Sequence, residues 1–121
     1  MPKTVLVVDD DRAIQRLFAT FLNVEGYRPA MANNGHEALT YLRGGGVADL
    51  ILLDLKMPVM DGTTFRREQR TDPALAGIPV IVLSGADDTV PLDLEAAAAF
   101  RKPVRFAEVI ATIRRICSSS A

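Results

Sequence analysis

The sequence predicts a doubly wound α/β domain built on a five-stranded parallel sheet, and two observations carry that prediction. Three short runs, Val5-Leu6-Val7-Val8, Leu50-Ile51-Leu52-Leu53 and Val80-Ile81-Val82-Leu83, are apolar without interruption, and each stops at a polar residue, Asp9, Asp54 or Ser84. Strands that are apolar on both faces belong in the middle of a parallel sheet covered by helices. The intervening segments carry apolar residues at helical spacing, and such alternation implies parallel strands joined by right-handed crossovers.

The elements follow in order. After the first strand, Ile14, Leu17, Phe18, Phe21 and Leu22 sit at i, i+3, i+4, i+7 and i+8, one face of a helix. Asp11 stands directly before Arg12 as a candidate N-cap, and Gly26 is a candidate stop. Arg28 to Ala32 reads as a second strand, and Pro29, which has no N–H to donate, places it at a sheet edge. Gly35 to Arg43 is a short helix closed by Gly44-Gly45-Gly46, and Thr63 to Arg70 is another after the third strand. Beyond the fourth strand a shortened helix is expected from about Pro91 to Ala97, with the proline in its first turn. Ala98 to Arg101 is the fifth strand. Phe106, Val109, Ile110, Ile113 and Cys117 form the stripe of a final helix. Strand order 2-1-3-4-5 satisfies the edge position of Pro29. Neither a linker nor a repeat interrupts residues 1–121, so one domain is expected, with 118–121 as a frayed tail.

Composition removes several function classes. With 49% hydrophobic residues among 121, the chain builds a real core and is not of the disordered class. Fourteen basic and 15 acidic residues leave a net charge of -1, which gives no field to attract nucleic acid or an anionic membrane. No apolar run reaches bilayer-spanning length, and Met1-Pro2-Lys3-Thr4 leads straight into a strand without signal-peptide architecture. The single cysteine, Cys117, excludes an internal disulfide and a thiolate metal site. A cytoplasmic protein is expected.

Ligands of open parallel sheets bind outside the carboxyl ends of the strands, at the switch in strand order. Here the switch falls between strands one and three, which end in Asp9-Asp10 and Asp54. Three carboxylates gathered there repel one another unless a cation is present, and a hard, oxygen-preferring ion such as Mg²⁺ suits them. Strand four ends in Ser84-Gly85-Ala86, a hydroxyl and backbone N–H groups able to bond a phosphoryl oxygen. Strand five ends in Arg101-Lys102-Pro103, a lysine able to pair with a carboxylate or a phosphate. Acids, metal, hydroxyl and lysine are the parts that phosphoryl transfer needs, since that reaction depends on positioning and on neutralising the equatorial oxygens.

Four pieces in order, Val5-Leu6-Val7-Val8-Asp9-Asp10-Asp11, then Leu52 through Gly62, then Val82-Leu83-Ser84-Gly85-Ala86, then Phe100-Arg101-Lys102-Pro103, resemble the receiver domains of two-component response regulators. The resemblance runs from Thr4 to about Ile116. It implies a flavodoxin-like (βα)5 fold and a phosphorylation-dependent signalling switch whose only catalysis is of its own aspartyl phosphorylation and dephosphorylation. Asp54 would be the phosphoacceptor, and a histidine kinase or histidine phosphotransfer protein the donor. Asp9, Asp10 and Asp54, with the backbone carbonyl of Lys56, would hold Mg²⁺ or Mn²⁺, Asp10 more directly than Asp9. Ser84 and Lys102 would contact the phosphoryl group, and the Lys102–Pro103 bond would be cis.

Other residues have plainer readings. Met57 and Met60 read as packing residues, Asp61 as a turn residue before Gly62, and Asp87 and Asp88 as loop or helix-start acids. His36, the only histidine, reads as solvated surface. A hydrolase using an aspartyl phosphate would need a second acid at the position of Lys56. A nucleotide module would need a glycine-rich loop where Asp9-Asp10-Asp11 stands. A degenerate receiver that binds a partner without phosphorylation is the alternative.

One departure from the pattern stands out. Asp10 to Asp54 and Asp54 to Ser84 are separated by 44 and 30 positions, as the family has them, but Ser84 to Lys102 is only 18, about one helical turn short. The inward-turning aromatic expected three residues before the lysine is Ala99, and the nearest aromatic, Phe100, should face the opposite side of its strand. The switch region expected from these residues, Ser84, Gly85, Ala86, Ala99 and Phe100, therefore lacks an aromatic rotamer switch. The signal would pass through the loop and shortened helix after Ser84.

Overall fold

The computed structural model describes residues 2–118. Strand β1 (Thr4–Val8) leads into helix α1 (Arg12–Val24), β2 (Arg28–Ala32), α2 (Gly35–Arg43), β3 (Leu50–Asp54), α3 (Gly62–Thr71) and β4 (Val80–Ser84). A single 3-10 turn (Leu92–Leu94) precedes β5 (Ala98–Arg101), and α4 (Phe106–Ser118) closes the described chain. All strand pairs are parallel and the order is β2-β1-β3-β4-β5, as expected. Pro29 lies in the edge strand β2, opposite Val5. No described helix is long and apolar enough to cross a membrane.

The alternation of side chains along the central strands divides the core into two layers. Leu6, Val8, Ile51, Leu53, Val80 and Val82 face α2 and α3, where Leu39, Leu42 and Phe65 meet them. Val5, Val7, Leu50, Leu52, Ile81 and Leu83 face α1 and α4, packed by Phe18, Leu22, Val109 and Ile113. The uninterrupted apolar runs are thus the cost of having helices on both faces. Of the α1 stripe, Phe18 and Leu22 are fully buried, while Leu17 and Phe21 remain 45% and 40% exposed. Phe21 instead stacks on Phe106 of α4, with ring centroids 4.9 Å apart.

The helix ends follow their sequence signals. The Asp11 carboxylate accepts from the N–H groups of Ala13 and Ile14, capping α1. Gly26 takes φ +88°, which lets Tyr27 N–H reach back to the Leu22 carbonyl. Asn34 caps α2 through Glu37 N–H. Asp61 is more than a turn residue: it is the N-cap of α3, accepting from Thr64 N–H at 2.8 Å. At the other end, Ser118 continues α4 and its hydroxyl donates to the Arg114 carbonyl, so the expected tail does not begin there. Residues 119–121 lie outside the described part.

The helix expected from Pro91 to Ala97 is the main correction. Only Leu92–Leu94 turn, in 3-10 form; Pro91 is extended at the N-cap and Glu95 enters the left-handed region at φ +49°. The carbonyls that would have continued a helix are taken by α3. Arg66, itself buried, donates from Nε to the Leu94 carbonyl at 2.9 Å and from Nη2 to the Glu95 carbonyl at 3.2 Å. Arg67 pairs with Asp93 at 3.3 Å, and Arg70 with Glu95 at 3.0 Å. Three arginines on α3 thus clasp the segment before β5, and a side-chain lattice replaces the helical ladder. Gln69 completes it, accepting from Arg66 and donating to the carbonyls of Leu75 and Ile78.

Candidate functional site

The switch in strand order opens a cavity of about 450 Å³ lined by Asp9, Asp10, Asp11, Asp54, Lys56, Lys102 and residues 85–88. Four chain segments meet there because β1, β3, β4 and β5 all end at this edge of the sheet. Asp9 and Asp54 are buried, at 0% and 4% exposure, and Asp10 is exposed. One carboxylate oxygen from each of the three lies within 4.8 Å of those of the others. Lys102 Nζ reaches Asp54 at 3.2 Å and Asp9 at 3.6 Å. The residues that the sequence singled out at three strand ends are therefore together, 44 and 92 positions apart in the chain for Asp10 to Asp54 and Asp10 to Lys102.

Each acid is held by its own turn. Asp9 Oδ1 accepts from Asp11 N–H at 2.9 Å, and Asp54 Oδ1 from Lys56 N–H at 3.4 Å. Gln15 Nε2 donates to the Asp9 carbonyl and to Asn33 Oδ1, tying the β1–α1 turn to the end of β2. Ser84 is 2% exposed at the end of β4, and on its side the cavity wall is formed by the residues that follow it. The Lys102–Pro103 bond is cis. Phe100 packs with the α1–α4 layer while Ala99 is exposed on the other side, so the two strand neighbours do face opposite ways. Met57 is buried in the α2–α3 layer, Met60 packs against it, and His36 is exposed.

At Asp54, burial and the Lys102 charge pull the carboxyl in opposite directions. Burial pushes the Asp54 carboxyl above its usual range, the Asp9 charge adds to this, and Lys102 offsets only part of it. Burial raises Asp9 as well, against the pull of the Asp11 N–H. For Lys102 burial lowers the ammonium, but Asp54 and Asp9 outweigh it and raise it overall. One lysine thus faces two buried acids. Asp9 Oδ2 is buried and makes no hydrogen bond, meeting the Lys102 ammonium only as an ion pair at 3.6 Å. Three carboxylates that each bring an oxygen within 4.8 Å of the others are a donor set that fits a hard divalent cation.

Sequence reasoning missed a second constellation on the opposite wall. Asp88, read as a loop acid, accepts from Gly85 N–H at 2.6 Å and pairs with Lys56 Nζ at 2.7 Å. Lys56 lowers it from the usual carboxylate range, helped by the Gly85 N–H. Arg101 Nη1 donates to the carbonyls of Gly85, Ala86 and Asp88. The bond to an N–H three residues behind it is the reach-back half of a capping box, but no helix starts here, so the usual apolar run that would mark the motif is missing. Nearby, Val59 takes φ +71° at 83% exposure, with Met60 N–H donating to the Pro58 carbonyl across it. A β-branched residue there is strained, in the loop between Asp54 and α3.

The chain matches the family model described as response regulator receiver domain over residues 5–114. It is 36% identical over 118 residues to the DNA-binding response regulator MtrA of Mycolicibacterium paratuberculosis, covering 94% of this chain and 51% of that protein. It is also 36% identical to the transcriptional regulatory protein CpxR homolog of Haemophilus influenzae, with 97% and 51% covered. The chain thus spans about half the length of the curated relatives it matches. Among solved structures, the Francisella response regulator 1452 receiver domain superposes with a TM-score of 0.88 at 28% identity, covering 98% of this chain and 99% of that one. Chemotaxis protein CheY4 of Vibrio cholerae superposes with a TM-score of 0.83 at 27% identity, covering 96% and 99%. With its sheet order, its strand-end acids and this match over most of its length, the chain belongs to the response regulator receiver domains of two-component systems.

Proposed function

We propose that this chain works as one receiver domain, a switch set by phosphorylation of Asp54. The observation that carries the reading is the Asp54 carboxylate itself: 4% exposed, on the floor of an open cavity, with a lysine ammonium 3.2 Å away. In the reaction, an Asp54 oxygen attacks the phosphorus of a phosphohistidine carried by a histidine kinase or phosphotransfer protein. The new O–P bond forms as the N–P bond breaks, and the imidazole leaves, taking up a proton. Dephosphorylation is the attack of water on the same phosphorus, returning the Asp54 carboxylate and releasing phosphate.

Asp9, Asp10, Asp54 and the backbone carbonyl of Lys56 are the groups that would hold Mg²⁺ or Mn²⁺. Such an ion would supply positive charge against the three carboxylates and the transferring oxygens. Lys102 neutralises a further phosphoryl oxygen and keeps Asp54 oriented toward the donor. Ser84 and the N–H groups of Gly85 and Ala86 take the remaining oxygens. The product is read by a partner protein in the cytoplasm, through the residues that follow Ser84.

The reading is tested by incubating the protein with phosphoramidate and Mg²⁺ and weighing it intact. One acid-labile phosphoryl adduct is expected, absent in Asp54→Asn and retained in Asp61→Asn, whose carboxylate caps α3 and lies outside the acid cluster. An adduct at the wild-type level in Asp54→Asn would refute the assignment.

A further inference from the structure

A phosphoryl group on Asp54 brings close to two negative charges and three acceptor oxygens into this cavity. It must find donors on the walls. Lys102 is one. The backbone N–H at Gly85 is another, since β3 and β4 pair Asp54 with Leu83 and Gly85 follows two residues on, lining the same cavity. That N–H is already engaged: Asp88 Oδ2 accepts from it at 2.6 Å. The same carboxylate takes the Lys56 ammonium on its other oxygen at 2.7 Å, and its side chain is only 7% exposed. Two donors facing the cavity are therefore held by an anion that the chain itself supplies.

We infer that Asp88 is an internal competitor of the phosphoryl group. In the unphosphorylated form it holds Gly85 N–H and Lys56, and phosphorylation of Asp54 displaces it from both. The inference rests on Asp54 being the phosphoacceptor. The exchange is an anion swap in which no covalent bond changes beyond the phosphorylation itself: the displaced carboxylate moves to solvent and the Gly85 N–H turns to a phosphoryl oxygen. Its extent is bounded by the two clamps around it. Arg101 keeps the carbonyls of Gly85 and Ala86, and the α3 arginines keep those of Leu94 and Glu95. The displacement is thus confined to the stretch between these two clamps. This chain consequently has a trigger that needs neither an aromatic rotamer nor a mobile helix after β4.

The test uses beryllofluoride with Mg²⁺ as the phosphoryl mimic, its affinity measured by calorimetry and its binding at Asp54 checked with Asp54→Asn. Asp88→Ala is compared with Asp87→Ala, which removes the same charge from the same cavity wall without touching the Gly85 bond. Asp88→Ala should bind the mimic about tenfold more tightly, the scale of one charge-assisted hydrogen bond. Its Tm without the mimic should fall. Asp87→Ala should change affinity by no more than about twofold, as expected for an exposed charge. A contact that only stabilises the loop would lower Tm and leave affinity unchanged or weaker, and that result overturns the inference, as does equal tightening in both variants. Asp88→Leu, which is close in size and has no acceptor for the Gly85 N–H, gives the same comparison if the alanine variant does not fold. Binding to wild type that survives Asp54→Asn would instead refute the phosphoacceptor reading, and the competitor with it.

Discussion

Gly62 opens helix α3 directly against the backbone of Asp54, and replacing it with alanine should damage both fold and chemistry. A Cβ at this position would stand 2.4 Å from the Asp54 carbonyl oxygen, 2.8 Å from Leu55 Cα and 3.1 Å from the Asp54 carbonyl carbon. All three are backbone atoms at the end of a buried strand, so no side chain can rotate away. Bringing the first contact from 2.4 Å to the 3.4 Å at which ordinary contact begins requires the backbone to retreat by about 1 Å. The Gly62 N–H also donates to the Leu55 carbonyl at 2.8 Å, and the same retreat stretches that bond. Overpacking of rigid surroundings costs about 3 kcal/mol, at the upper end of the usual range. For a domain of this size that lowers Tm by roughly 10 °C. The displaced group is Asp54 itself, and a misplacement of about 1 Å slows a positioned reaction on the order of a hundredfold. Gly77→Ala is the control, since its Cβ would meet nothing within 4 Å. The assay is thermal unfolding followed by the rate of adduct formation with phosphoramidate. A Gly62→Ala protein with wild-type Tm and wild-type rate would show that this close approach does not position Asp54.

Two further perturbations test the site and its strain. Asp10→Asn removes one charge from the carboxylate cluster, so Mg²⁺ affinity measured by titration should fall by about tenfold or more. The unfolding midpoint without Mg²⁺ should stay level or rise as repulsion among the acids is relieved; unchanged Mg²⁺ affinity would remove Asp10 from the ligand set. Val59→Asn should stabilise, because Val59 is 83% exposed and holds a positive φ that asparagine tolerates better. A gain of about 1 kcal/mol, read as a rise of roughly 4 °C in Tm, is expected, and a fall would mean that the valine makes contacts outweighing its strain.

Most of the architecture was legible in the sequence because it follows from local patterns. Uninterrupted apolar runs gave the three central strands, Pro29 gave the edge, and the polar residue ending each run marked where the site would form. The stretch between β4 and β5 was not legible. Alanines at 96–99 and a proline at 91 argue for a helix, yet the backbone there turns only once, because Arg66, Arg67 and Arg70 from a helix more than 20 residues away take its carbonyls and acids. The role of Asp88 was hidden for the same reason: its partner Lys56 is brought to it by how β3 and β4 end side by side.

The sequence by itself determined the layers, the strand order and the convergence of Asp9, Asp10, Asp54 and Lys102. Periodicity and strand termini are properties of consecutive residues, and a parallel sheet with right-handed crossovers has few ways to arrange them. Which charges face each other is settled instead by the packing of distant elements. That packing set one lysine against two buried acids and placed Asp88 on the Gly85 N–H. Those outcomes depend on distances of a few ångströms between side chains from different elements, and ionic and hydrogen-bond energies change decisively over that range.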